Sequence, residues 1–142
     1  MQAITQTLGH SLNTPLNHGD LSSLSDSALL ESTHRVAARE REATQTLIEH
    51  LAEVDRRRSF LALGFSSLHE FAVKSLKLSD GAAARRIQAV RLSRDLPEVV
   101  DQVRTGEVSL SNVSLLQSYF FKESRAGHVI TPEEKREWVE SS

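Results

Sequence analysis

The chain has 142 residues, of which 39% are apolar, 25% charged and only 5% aromatic, with a formal net charge of -2 and no cysteine. That length suits one domain, and a core built from Leu, Val, Ile and Ala favours helices. Without cysteine there are no disulfides, thiolate zinc sites or cysteine nucleophiles, and a near-neutral chain does not coat nucleic acid by bulk electrostatics, although one local basic patch still can.

Residues 1–22 are rich in Ser, Thr, Asn, Gln and Gly with scattered leucines. So little apolar surface does not offset the entropy of ordering, and the stretch is expected to be a flexible arm ahead of a single helical domain over residues 23–142. It has no basic start followed by an apolar run, and nowhere are there about 18 consecutive apolar residues, so neither a signal peptide nor a membrane span is expected. A cytoplasmic protein is the default expectation.

Ser25 is placed to cap the first helix, with Asp26 favourable in its first turn. Leu29, Leu30, Val36, Ala37, Leu47, Ile48, Leu51 and Val54 then recur at helical spacing, and Glu31, Arg35, Arg39, Glu42 and Glu49 fill the other face. Neither Gly nor Pro interrupts Ser25 to Leu63, so one helix of roughly nine turns is expected, or two with a break at Arg41–Thr44, where the apolar stripe thins. Gly64 is the expected stop.

A short helix follows in "SSLHEFAVKSL", capped by Ser66 or Ser67, with Leu68, Phe71, Ala72 and Leu76 inward. Ser79 caps the next, "SDGAAARRIQAVRLSR", which ends at Asp95–Pro97. Beyond Pro97, Val99, Val100 and Val103 lie on a helix ending at Gly106. Ser109 or Ser111 starts another through Val113, Leu115, Leu116 and Phe120. The Thr131–Glu134 capping box, with Pro132 inside it, opens a last helix docked by Trp138 and Val139. No alternating strand pattern occurs. The expected class is all-α, about six helices, with one long N-terminal helix followed by a helix-turn-helix-like bundle.

Catalytic constellations are missing from the pattern. His10, His18, His34, His50, His69 and His128 have no partners at metal-ligand spacing, and "HEF" at His69 lacks the second histidine of a zinc-binding HExxH. There is no phosphate loop, no dinucleotide fingerprint and no nucleophile elbow. No metal, no cofactor and no enzymatic activity are expected.

What remains is the helix pair around residues 66–94, which has the dimensions of a helix-turn-helix. With Ala83, Ile87 and Val90 packed inward, Ala84, Arg85, Gln88 and Arg91 lie round the far side, where Arg and Gln suit base edges or phosphates. Gly81 and Ala82 let backbone amides approach a phosphate closely. Arg85, Gln88 and Arg91 are the expected groove-facing residues, with Lys74, Lys77, Arg86 and Arg94 as phosphate contacts. Arg56, Arg57 and Arg58 form a secondary basic patch, which equally complements the carboxyl end of the first helix. The plainer reading of the same residues is a solvated arginine face on an ordinary helix pair.

The blocks "HLAEVDRRR" (His50–Arg58), "LGFSSLHEFAV" (Leu63–Val73) and "LSDGAAARRIQAVRLSRDLPEV" (Leu78–Val99) resemble the helical N-terminal region that precedes HNH endonuclease domains in bacterial proteins. The resemblance spans roughly Leu24 to Val139. In that family the nuclease follows as a ββα-metal fold with metal-binding histidines; this chain has neither a His-His pair nor a strand hairpin to carry those roles. "LSRDLPEVVDQVRTGEVSLSNVSLL" also resembles the segment after the helix-turn-helix of ParB-type partition proteins, with the helix before Pro97 about one turn longer here. Together the resemblances imply a non-catalytic helical module that binds double-stranded DNA. Two alternatives stay open: a protein-interaction module that forms a homodimer through the long helix over residues 25–58, and an accessory part of a nuclease with no catalysis of its own.

Overall fold

A computed structural model describes residues 20–142. His10, His18 and most of the expected arm therefore lie outside the described residues. The chain divides into two compact units, Met1–Glu40 and Arg41–Ser142.

Among the described residues the protein is all helical: α1 (Asp26–Arg57), α2 (Leu68–Glu70, running on into a π-helical turn Phe71–Ser75), α3 (Asp80–Asp95), α4 (Glu98–Thr105), α5 (Leu110–Arg125) and α6 (Pro132–Glu140). Short 3-10 turns occupy Leu21–Ser23 and Ser59–Leu63. The long helix is unbroken through Arg41–Thr44, so the two-helix alternative is not taken.

The first unit contributes the 3-10 turn and the first half of α1. Ser25 Oγ accepts the Ala28 amide at 3.1 Å, the expected cap. Arg35 and Glu31 form an exposed i, i+4 pair at 3.6 Å, worth a few tenths of a kcal/mol.

In the second unit α1 continues from Arg41 and buries Ile48 and Leu51 in the bundle. It stops at Arg57, seven residues before Gly64. Arg58 takes a left-handed conformation (φ 54°), the chain tightens into the Ser59–Leu63 turn, and Gly64 (φ 91°) closes that turn instead of the helix. The early stop has a packing cause: reversing at Arg58 lets Phe60 turn into the core, where it is buried.

Ser67 Oγ accepts the Glu70 amide at 3.0 Å, while the Glu70 carboxylate reaches back to the Ser66 amide at 2.7 Å. These reciprocal bonds fix the start of α2. Its second half widens into a π turn, with the Leu76 amide donating to the Phe71 carbonyl at 3.2 Å. More residues per turn rotate Leu76 out of line with Leu68 and Ala72. Leu76, expected inward, is exposed, whereas Leu68 and Ala72 are buried and Phe71 is half-buried against Phe65, with ring centroids 5.9 Å apart.

Ser79 Oγ accepts the Ala82 amide at 3.1 Å and opens α3, the central helix of the unit. It packs most extensively against α5, and also against α2 with its π turn and against α4. Ala83, Ile87, Ala89, Val90 and Leu92 are all buried, so apolar contact surrounds much of the helix. Leu96, Val99, Val103, Val108, Val113, Phe120 and Val139 complete the core. Gly106 ends α4 at φ 83°, and Arg41 Nε donates to the nearby Arg104 carbonyl at 3.2 Å. The backbone angle at Gly106 favours glycine, and a Cβ there would also press on the Arg41 side chain, 3.2 Å from its Nε.

Ser109, not Ser111, caps α5 through the Asn112 amide at 3.0 Å. Leu115 is 69% exposed, because two residues place it about 200° round from buried Val113 at 3.6 residues per turn. Thr131 caps α6 with Pro132 in its first turn, and the Arg136–Glu98 hydrogen bond at 2.5 Å ties α6 to α4. That guanidinium holds the Glu98 carboxyl below the usual carboxylate value. Val139 docks α6 into the core; Trp138 stays partly open and lies against Tyr119, centroids 5.4 Å apart.

Candidate nucleic-acid interface

The basic residues are not spread evenly along the chain. Nine of the 17 cations fall between Arg56 and Arg94, where only Glu70 and Asp80 are acidic. The composition-wide charge of -2 conceals this, because the acids gather on either side of the segment. Local charge, not net charge, sets the potential a phosphate backbone meets.

Several of these cations are already engaged. Arg56 and Arg57 both hold Glu53, Arg57 at 2.6 Å, and their hydrogen bonds bring the Glu53 carboxyl down to about 2. Their first role is thus the plain one of closing α1. Lys74 pairs with Glu70 at 3.0 Å, where the Ser66 backbone amide and Lys74 together hold the Glu70 carboxyl below its ordinary value. Arg94 pairs with Asp55 and ties α3 to α1. Arg86 turns back along its own helix, Nη1 donating to the Ala82 carbonyl at 2.9 Å. All these pairs except Arg86 are largely exposed, where an ion pair is worth about 1 kcal/mol or less and yields readily to a phosphate.

Gln88 sits differently from its expected place. It is half-buried, and its Nε2 donates to Ser118 Oγ on α5 at 3.2 Å. The close seam between α3 and α5 draws the side chain sideways, so Gln88 is a link between helices and leaves the groove-facing set.

Arg58, Lys77, Arg85 and Arg91 remain exposed, and among the described residues no carboxylate lies within 4.0 Å of them. Arg85 and Arg91 stand about 120° apart around α3 at 3.6 residues per turn, with exposed Ala84 between them. They bracket the open arc instead of lining one stripe. The Arg85 guanidinium folds over the first turn of α3, where its Nη1 lies 3.1 Å from the position of a Cβ on Gly81. The bracing pair α2 and its π turn pack against α3 as a helix-turn-helix requires.

Arg58 (φ 54°) and Lys77 (φ 66°) share a second feature: they are the non-glycine residues of positive φ among those described. Such positions ordinarily fall to glycine, because a Cβ there is crowded. Placing a long cation at each trades backbone comfort for a side chain. Replacing Arg58 and Lys77 by glycine should therefore leave stability unchanged or raise it by about 0.5–1 kcal/mol per site, read by urea denaturation. A loss of stability would mean that the two long side chains make contacts the fold needs.

Among the described residues no group of three or more His, Asp or Glu is arranged to hold a metal ion. His69 lies 3.2 Å from Asp80, and His128 2.8 Å from Glu123, each as an exposed pair. No helix among the described residues is long and apolar enough to cross a membrane. Comparison of the chain with protein-family models, curated proteins and solved structures finds no match.

Proposed function

We propose that this protein is a non-catalytic helical module that binds double-stranded DNA through the segment Arg56–Arg94, with Arg58, Lys77, Arg85 and Arg91 making the main phosphate contacts. The observation that carries the reading is the gathering of nine cations against two acids in that segment, with these four exposed and outside any ion pair among the described residues. Lys74, Arg56, Arg57 and Arg94 add charge at the rim and exchange their weak carboxylate partners for phosphates as the duplex approaches. Ala84, small and exposed on the open arc of α3, allows the helix to come close to the DNA surface.

The contacts are mainly to the backbone. With Gln88 turned to Ser118, only Arg85 and Arg91 of the expected base-reading set stay on the open side of α3. Phosphate contacts position a protein without reading sequence, so affinity should depend little on base sequence. The resemblance to the region preceding HNH endonuclease domains suits a targeting role of this kind and is part of the same proposal.

The test is a fluorescence-anisotropy titration with a mixed-sequence duplex at low salt. Binding with a dissociation constant on the order of micromolar, weakened by Arg85→Ala with Arg91→Ala, supports the reading. No binding at tens of micromolar, or binding indifferent to both substitutions, defeats it. Incubation of plasmid DNA with the chain and Mg²⁺ or Mn²⁺ should give no cleavage.

A further inference from the structure

The open arc of α3 continues onto α5. Gln88 Nε2 donates to Ser118 Oγ at 3.2 Å, so the face of α5 that carries Ser118 borders that arc. A second link fixes the same neighbourhood. Lys135 Nζ lies 2.6 Å from Asp95, the last residue of α3, whose carboxylate it engages, and 5.5 Å from the centroid of the Phe120 ring. Residues Ser118–Phe121 therefore lie beside the second half of α3, which carries Arg91 and Arg94.

Ser114, Ser118, Phe121 and Arg125 fall within about 60° of one another around α5 at 3.6 residues per turn. Phe121 is 55% exposed, although Phe120 beside it is buried in the core. The Arg125 guanidinium lies over the Phe121 ring, 5.8 Å from its centroid. Glu123, the one acid of α5, stands about 160° round from both and lies 2.8 Å from His128.

Chemistry selects the occupant. An exposed ring, a guanidinium upon it and two hydroxyls, with no acid among them, are the groups that hold a single strand. The ring takes the face of a base, and the cation and hydroxyls take the adjoining phosphates. Base pairs inside a duplex turn only their edges outward and offer Phe121 no face to stack on. A base left unpaired where the duplex ends does.

We propose that Phe121 and Arg125 form a base-stacking platform at the edge of the DNA surface, so that the chain takes duplex DNA carrying a single-stranded extension in preference to a blunt end. The inference rests on the duplex reading of α3 and names its substrate more narrowly. Stacking tolerates any base, in keeping with backbone contacts that do not read sequence.

Fluorescence anisotropy tests it with two DNAs. One is a mixed-sequence duplex bearing a single-stranded extension of about four nucleotides; the other is a blunt duplex of equal phosphate count, which matches the electrostatic attraction. Wild type should bind the extended duplex about tenfold more tightly. Phe121→Ala should lose that preference while keeping blunt-duplex affinity and far-UV circular dichroism, and Phe121→Trp should retain it. The fluorescent base 2-aminopurine, placed in the extension, should be quenched on binding wild type and not on binding Phe121→Ala. Blunt binding with no preference for the extension, or a preference that survives Phe121→Ala, would overturn this inference and leave the duplex reading intact. No binding to either DNA would overturn both.

Discussion

Shortening Leu92 to alanine should lower folding stability by about 2–5 kcal/mol, seen as a lower urea midpoint with an unchanged m-value. Leu92 is fully buried on α3, the helix against which α2, α4 and α5 all pack. Removing its branched end loses the transfer energy of the deleted groups and leaves a cavity lined from several helices, which cannot all relax inward together. The neighbouring Arg91→Ala, on the open arc, should change stability by no more than about 0.5 kcal/mol. A Leu92→Ala loss as small as that of Arg91→Ala would mean that α3 is not the central element of the bundle.

Reversing charge at both Arg85 and Arg91, by Arg85→Glu with Arg91→Glu, should weaken duplex binding by at least about a hundredfold. Each substitution removes a phosphate contact and adds a repulsion in a segment where nine cations face only two acids. Circular dichroism and the urea midpoint should be close to wild type, since both side chains are exposed and neither is ion-paired among the described residues. Lys122→Glu is the control: Lys122 is also exposed, in the last turn of α5, outside the basic segment. If it weakens binding as much as the double reversal, overall charge and not the Arg56–Arg94 segment governs the interaction.

The helices were legible in the sequence because their local signals agree. Ser25, Ser67, Ser79, Ser109 and Thr131 each accept the backbone amide that an N-cap should take. Gly106 and the apolar spacing of Val99 and Val103 likewise fixed α4 from local chemistry. What periodicity missed came from departures from 3.6 residues per turn or from packing between distant segments. The π turn swings Leu76 outward, and no residue in "FAVKS" announces it. The left-handed Arg58 ends α1 where the sequence offers neither glycine nor asparagine. Its cause is the long-range demand to bury Phe60.

The candidate interface was legible in part. Arg85 and Arg91 follow from the helical wheel, since Ala83, Ile87 and Val90 do pack inward. Gln88 does not, because its partner Ser118 is thirty residues away in sequence and invisible to a single-helix projection. The engagement of Arg94 with Asp55 and of Arg56 and Arg57 with Glu53 needed coordinates as well. One signal was available and outweighs the others: counting charge by segment exposes the basic stretch that the whole-chain value hides.

The salt dependence of duplex binding tests the DNA reading most directly. The four main phosphate contacts release their counterions together and the rim cations add to them, so log K against log salt should fall with a slope of about -3.6 or steeper, and by about 2 units less steeply after Arg85→Ala with Arg91→Ala. A wild-type slope near zero, or a slope that the two substitutions leave unchanged, would contradict the assignment of these arginines to the phosphate backbone.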